Sequence, residues 1–200
     1  MVELRQLKSY GILVLIFSMF ELKPTQVTGC FELQPKVFDD ARGRFVKVFH
    51  IQAFAAHGLE TNFAEEYYSV SNNNVIRGMH FQLPPMDHVK VVYCVQGAVL
   101  DVVTDLRVGS PTYGRSSVIE LSSAKANSIY IPKGMAHGFC SLCDHSIMVY
   151  KVSSVYALTR DAGILWNSVG VAWPTTQAIL SARDQTFTPF DKFVSPFSYE

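Results

Sequence analysis

Four polar side chains interrupt runs that are otherwise apolar, and each is of a type that can move or hold a proton. His80 lies in Ile76-Arg77-Gly78-Met79-His80-Phe81-Gln82, Lys90 in the run Val89 to Val95, Tyr150 in Ser146 to Val152, and His137 in Ile131-Pro132-Lys133-Gly134-Met135-Ala136-His137-Gly138-Phe139. A strand buried on one face keeps its inward positions apolar unless a polar group has a partner or a task. With a period of two, His80 and Gln82 share one face while Met79 and Phe81 share the other, which points to a polar cavity beside an apolar layer. Strict alternation would put Arg77 on the far face from His80, but Gly78 can break the pleat between them, so Arg77 stays a candidate. Each residue also has a plainer explanation. His80 could be a structural histidine with satisfied hydrogen bonds, Lys90 an edge-strand charge that blocks aggregation, and Tyr150 a core aromatic. His137 follows a turn between residues too small to shield it.

Two metal readings need the same scrutiny. His137, Cys140, Cys143 and His145 bracket a Cys-x-x-Cys with histidines, yet one such cluster without a second cysteine pair is a weak zinc signal. In a strand, Cys140 and Cys143 would face opposite ways. A metal-binding barrel could draw on His80, His88 and His137. However, the usual His-x-His with a Glu soon after is missing, and no Glu occurs from Met79 to Arg115. The expectation is therefore a site without metal.

The elements that must position these groups read as all-β. Short runs rich in Val, Ile, Phe and Tyr recur at Arg44 to His50, Tyr67 to Ser71, Val75 to Phe81, Val89 to Val95, Ala98 to Leu106, Ser116 to Leu121, Ser128 to Ile131 and Ser146 to Val152. Turn chemistry separates them, as in Asn72-Asn73-Asn74, Gln96-Gly97 and Pro132-Lys133-Gly134. Only Ile51 to His57 suggests a helical turn in the middle region, and the segment from Asp184 reads as an irregular or short helical tail.

Composition narrows the function classes. Seventeen Lys and Arg balance seventeen Asp and Glu, so no net positive field exists to hold a nucleic acid. With 48% hydrophobic residues, including 14 Phe and 9 Tyr, the 200-residue chain can bury one substantial core. Four cysteines are too few for a disulfide scaffold, which favours the reducing cytoplasm. The apolar run Gly11 to Phe20 follows Arg5 and Lys8 but falls short of the ~20 residues that span a bilayer. Glu21, Lys23 and Pro24 offer no signal-cleavage site, so no membrane partner is expected. Residues 1–18 are expected to be an extension outside the fold, with an extra packed element or a targeting segment as alternatives.

Several strings in order are more specific than any one residue. Asp40-Ala-Arg-Gly-Arg-Phe, Arg77-Gly-Met-His-Phe-Gln, Asp101-Val-Val-Thr-Asp-Leu-Arg, Gly109-Ser-Pro-Thr-Tyr-Gly, Ile131-Pro-Lys-Gly-Met-Ala-His-Gly-Phe, Gly163-Ile-Leu-Trp-Asn and Leu180-Ser-Ala-Arg-Asp together resemble the dTDP-4-dehydrorhamnose 3,5-epimerase family. The resemblance runs from about Thr25 to about Phe190. It implies a cupin-like jelly-roll barrel with short peripheral helices, a single epimerase domain over residues 19–200, and a homodimer. It also implies a nucleotide-diphosphate 4-keto-6-deoxyhexose as substrate, no metal or other cofactor, and a place in deoxysugar and O-antigen-type polysaccharide biosynthesis. Carried over by position, His80 resembles the family's general base, Asp184 the aspartate paired with it, Lys90 the lysine beside the ketone and Tyr150 the general acid. Tyr156 is a second, weaker candidate for the acid. Arg42, Arg77, His137 and Arg183 match positions that contact the nucleotide sugar. Two departures stand out. Lys47 replaces a glutamate usual after Arg-Gly, and Glu65-Glu66-Tyr67 replaces a common Gln-x-Asn, which leaves the nucleobase and the sugar configuration open.

These residue types suit the chemistry. A ketone at carbon 4 acidifies the hydrogens on carbons 3 and 5. An imidazole with a pKa of about 6.5 can remove one, and a fixed cation can stabilise the enolate oxygen. A phenol on the opposite face can return a proton, and the guanidinium groups suit the diphosphate. Inversion at one carbon or at both is compatible with one base and one acid. The competing expectations are a ketoisomerase or mono-epimerase on the same barrel, a metal-dependent cupin enzyme, and a non-catalytic sugar-binding barrel. The last would be expected to lose the His, Lys and Tyr together.

Overall fold

The computed structural model describes residues 19–199, so the expectation for residues 1–18 lies outside the described residues. The strands in chain order are β1 (Phe20–Pro24), β2 (Phe31–Pro35), β3 (Val37–Asp40), β4 (Gly43–Val46), β5 (Glu65–Ser71), β6 (Ile76–Gln82) and β7 (Lys90–Gln96). They continue with β8 (Ala98–Asp105), β9 (Ser116–Ser122), β10 (Ser128–Ile131), β11 (Met135–Ser141), β12 (Ser146–Val152) and β13 (Asp161–Gly163). The α-helix α1 (Ile51–Ala56) falls where the sequence suggests a helical turn. His50 caps it, its Nδ1 accepting from the Ala53 amide, and Phe54 anchors it in the core.

Two antiparallel sheets pack face to face as a cupin-like jelly roll. One sheet has the order β1-β2-β10-β7-β12-β5, and the other β13-β6-β11-β8-β9. Val92, Cys94, Ile129 and Met148 from the first sheet meet Val99, Val103, Leu121 and Phe139 from the second to form the central core. A second apolar layer covers the outer face of the second sheet. There Met79, Phe81, Val102 and Ala136 meet Ile164, Val169 and Phe197 from the C-terminal third of the chain. The alternation read from β6 is thus correct, with Met79 and Phe81 turned away from His80. No helix among the described residues is long and apolar enough to cross a membrane.

The tail is irregular, as expected, but it is stitched to the second sheet. Ile179 forms a parallel bridge with Val75, just before β6, and Thr188 forms another with Ile164, just after β13. These two anchors hold the segment between them against the middle of β6. The resemblance strings that begin at Asp101 and Gly109 have a structural part as well. Asp105 accepts hydrogen bonds from Arg107, Ser110 and Thr112 and so closes the turn that follows β8.

β11 was not among the strands expected from sequence. All seven of its residues are buried, because it lies in the middle of its sheet with both faces covered. Such a strand shows no alternation, and its small residues pass for a loop. The view of His137 as unshielded is corrected accordingly. It is buried, and Ala136 and Gly138 beside it serve close packing rather than exposure.

Candidate active site

A cavity of about 410 Å³ opens between the two sheets. Arg77, His80 and His137 line it from the second sheet, while Lys90 and Tyr150 line it from the first. The walls thus carry imidazoles on one side and an amine and a phenol on the other.

His80 is held by Asp184. The two tail anchors place Asp184 beside β6, where its Oδ1 lies 2.9 Å from His80 Nε2 and its Oδ2 accepts from the Gly78 amide at 3.1 Å. The Asp184 amide is tied in turn to Ser181 Oγ. Burial works against ionisation of this carboxyl, but hydrogen bonds and charge attraction from His80, aided by Gly78 and Ser181, hold it at about 2. A carboxylate next to Nε2 fixes the neutral imidazole with its proton on that nitrogen and the lone pair on Nδ1. Burial lowers the His80 pKa, while Asp184 opposes that shift.

Gly78 decides how the strands meet. A Cβ there would sit 2.5 Å from Gly138 Cα and 2.8 Å from the His137 carbonyl oxygen, and φ is +129°. The pairing of β6 with β11 shifts register between His137 and Phe139. Alternation therefore fails at this point, and Arg77 shares the cavity with His80. Arg77 is oriented by Ser71 Oγ and the Val70 carbonyl, each at 3.0 Å.

On the opposite wall, β7 runs between β10 and β12, so an edge-strand role for Lys90 does not hold. Its Nζ donates to the His80 carbonyl oxygen at 3.4 Å. Burial pulls its pKa down to about 8, against the attraction of Asp161 and Asp101. Tyr150 is buried, its hydroxyl 3.1 Å from Ser69 Oγ and its ring stacked on Tyr67 at 4.8 Å. Burial raises its pKa, so it is neutral and carries its proton near pH 7.

His137 pairs directly with His80 across β11 and β6, and its Nε2 lies 2.8 Å from Asp101 Oδ2. Cys140 Sγ meets the Ser141 carbonyl and Cys143 Sγ meets Ser146 Oγ. Among the described residues no three His, Cys, Asp or Glu converge as metal ligands.

The cavity mouth holds Tyr156, Asp161, Arg183 and Glu65. Arg183 pairs with Asp161, whose Oδ2 also accepts from the Tyr156 hydroxyl, and Glu65 Oε2 accepts from the Tyr156 amide. The exposed Tyr156 is tied up at the rim, whereas Tyr150 is deep in the wall. Arg42 is not brought to the cavity of its own chain. It sits on the exposed β3–β4 hairpin, paired with Asp40.

The site contains residues not singled out from sequence, namely Asp101, Asp161 and Ser69, while Glu65 and Tyr67 come from the Glu65-Glu66-Tyr67 stretch noted as a departure from the family pattern. Asp101 gives the same signal as His80, a polar side chain inside an apolar run. Asp161 comes from a three-residue strand too short to show a pattern.

The model of the family described as dTDP-4-dehydrorhamnose 3,5-epimerase matches residues 24–192. A dTDP-4-dehydrorhamnose 3,5-epimerase from Shigella flexneri is 38% identical over 85% of this chain and 97% of its own. A dTDP-4-dehydrorhamnose 3-epimerase from Streptomyces niveus is 39% identical over 82% of this chain and 81% of its own. A solved structure of the dTDP-6-deoxy-D-glucose-3,5-epimerase from Legionella pneumophila, in complex with dTDP-4-keto-L-rhamnose, superposes with a TM-score of 0.86 at 28% identity, covering 90% of this chain and all of that one. A family model spanning most of the chain, relatives above a third identical over most of their length and a shared fold leave one conclusion: the chain belongs to the dTDP-4-dehydrorhamnose 3,5-epimerase family.

Proposed function

We propose that this carbohydrate epimerase removes a proton next to the carbon-4 ketone of a nucleotide-diphosphate 4-keto-6-deoxyhexose and returns one from the opposite face. The observation that carries the reading is the division of labour between the sheets. His80, held by Asp184 from the tail, stands on one, and Lys90 and Tyr150 stand on the other. A sugar ring held between them presents one face to the imidazole and the other to the phenol, which is the arrangement that inversion needs.

In this reading His80 Nδ1 takes the proton, and Asp184 holds the productive tautomer and stabilises the imidazolium. Lys90, charged below about pH 8, receives the developing enolate oxygen. Tyr150 then donates its hydroxyl proton to the carbon, and solvent restores both groups. Arg77, His137 and Arg183 hold the diphosphate sugar, with Arg183 exchanging Asp161 for phosphate. The step draws on acid–base groups alone, so no cofactor is called for.

Arg42 fits this picture in a homodimer, where the exposed hairpin of one protomer reaches the cavity of its partner. Its neighbours Phe38 and Phe45 are largely exposed, which suits a contact surface. Residues 19–200 act as one epimerase domain, in the cytoplasm where nucleotide sugars are made.

The test is incubation with dTDP-4-keto-6-deoxyglucose in deuterated water, followed by location of the label. Deuterium at carbon 3, carbon 5 or both supports the reading and defines the reaction. Carbonyl migration to carbon 3 would make the protein a ketoisomerase instead, and no label would refute the reading.

A further inference from the structure

The connection between β12 and β13, residues 153–160, brings Tyr156 to the cavity mouth and displays its side chains rather than burying them. Val155, Tyr156 and Leu158 are 50%, 56% and 77% exposed. A loop with so little buried surface opens easily unless its backbone is tied down. Here the ties come from two side chains, one on each sheet. Gln82, the last residue of β6 in the second sheet, is buried. Its Oε1 accepts from the Ala157 amide at 2.6 Å, and its Nε2 donates to the Val155 carbonyl at 3.2 Å. The same nitrogen donates to the Met86 carbonyl at 2.8 Å, which joins the loop to the connection between β6 and β7. Glu65, the first residue of β5 in the first sheet, accepts from the Tyr156 amide at 2.7 Å through Oε2. Three consecutive residues are thus gripped by their backbones from both sheets, with Tyr156 in the middle.

The two grips ask for different chemistry. Gln82 must accept with one atom and donate with the other, and an amide does both. The Ala157 N–H and the two carbonyls also fix which way that amide points. Glu65 need only accept, so an amide oxygen would serve there as well as a carboxylate. The glutamine that the family commonly has in its place meets the same requirement.

We propose that Gln82 and Glu65 are positioning residues, a two-sided clamp that holds the Tyr156 loop as a fixed outer wall of the substrate site. The inference rests on the reading above, in which the ketone lies inside the cavity between His80 and Lys90. The nucleoside must then trail past Arg183 to the mouth, where the clamped loop meets it. A wall held in place before binding spares the substrate the cost of ordering it. The clamp therefore acts on affinity for the outer half of the substrate and leaves proton transfer to the groups inside.

The experiment measures kcat and KM for deuterium wash-in with dTDP-4-keto-6-deoxyglucose, and kcat/KM with 4-keto-6-deoxyglucose 1-phosphate, which lacks the nucleoside. Gln82→Glu turns a carboxylate oxygen toward the Val155 and Met86 carbonyls. It should raise KM for the full substrate about tenfold or more while kcat changes by less than about threefold. On the 1-phosphate it should lose less than about threefold in kcat/KM. Glu65→Ala should raise KM in the same selective way, and Glu65→Gln, which keeps the acceptor, should return it to within about twofold of wild type. An unchanged KM in Gln82→Glu would overturn the clamp. So would equal losses on the two substrates, which assign Gln82 to the fold around His80, or a Glu65→Gln as impaired as Glu65→Ala, which assigns Glu65 a role through its charge. If Gln82→Glu does not fold, the two Glu65 variants make the decision alone. Wild-type protein that exchanges neither substrate sinks the parent reading, but calorimetry with dTDP still tests the clamp. Gln82→Glu and Glu65→Ala should then bind dTDP about tenfold more weakly, with Glu65→Gln near wild type, and unchanged affinity in all three refutes the proposal.

Discussion

Replacing Asp184 by asparagine removes one charge and almost no volume, yet it should reverse the chemistry of His80. Asp184 Oδ2 takes the Gly78 amide proton and Oδ1 takes the proton of His80 Nε2. In the asparagine variant the amide oxygen must remain opposite the Gly78 N–H, so the NH₂ group faces His80. Nε2 is then forced to accept, the imidazole proton moves to Nδ1, and the nitrogen that should attack the sugar carries a hydrogen. The electrostatic part can be sized separately. The carboxyl is held at about 2 against an ordinary 3.8, which corresponds to about 2 kcal/mol favouring the charged pair, or roughly thirtyfold in rate if His80 supplies all of it. Asp184→Ala, which leaves both tautomers open, should lose about that much. Asp184→Asn should lose more, roughly 10³-fold to 10⁴-fold, because an orienting carboxylate that becomes an amide locks the wrong tautomer. The assay is kcat/KM for deuterium wash-in into the 4-keto sugar, with circular dichroism to verify folding. Asparagine activity within tenfold of wild type, or alanine activity below asparagine, would refute the reasoning.

Tyr150→Phe keeps the stack on Tyr67 and loses only the hydroxyl. It should still wash deuterium into recovered substrate with retained configuration but form epimerised product roughly 100-fold more slowly. If Tyr156→Phe shows that pattern instead, the acid sits at the rim. Lys90→Met should slow wash-in and epimerisation together, since enolate stabilisation precedes both. The pH profile of kcat/KM should fall on the acid side below the ordinary imidazole value of about 6.5, because burial lowers His80 and the base must be neutral. It should fall on the alkaline side near pH 8, where Lys90 gives up its charge, and an alkaline limb that persists in Lys90→Met would contradict that origin. Gly78→Ala must push β6 from β11, and urea unfolding should show a loss of about 3 kcal/mol, against less than about 1 if the strands can adjust. Chelators should leave activity unchanged, and loss restored by one added metal would overturn the acid–base scheme.

Much of the fold was legible because one-face burial writes itself into β-sequences. β10 and β12 coincide with the apolar runs at Ser128 to Ile131 and Ser146 to Val152, since turn residues bracket them tightly. β11 was hidden for the opposite reason, being buried on both faces and built partly from Ala and Gly. The site follows the same division. His80, Lys90 and Tyr150 stand out as polar interruptions, and the structure puts all three on one cavity. Asp184 has no local signal at all. Its place depends on bridges from Ile179 to Val75 and from Thr188 to Ile164, contacts between segments about a hundred and about two dozen residues apart in sequence, and only the family resemblance suggested the pairing. Arg42 shows where a positional match ends, because its position is right in the string and remote from the cavity of its own chain.

The jelly roll suits the proposed reaction, in which side chains move the protons. Opposed proton transfers need two groups held on either side of a planar enolate, and a single rigid sheet can present groups to only one face. Two packed sheets supply both, at a separation fixed by the central core of Val92, Val103, Phe139 and Met148 rather than by mobile loops. The polar residues sit where that core gives way to the cavity, so apolar packing positions the proposed base dyad and the proposed acid against each other. The same arrangement separates the pKa values of the three groups. Burial keeps Tyr150 protonated and lowers Lys90 only to about 8, while Asp184 offsets part of the cost of charging His80. At neutral pH Tyr150 thus keeps its proton, Lys90 its charge and His80 its lone pair, the states that the proposed acid, cation and base require. A substitution that preserved each side chain but let the sheets slide should impair proton exchange and epimerisation together, since His80 and Lys90, which exchange requires, stand on opposite sheets.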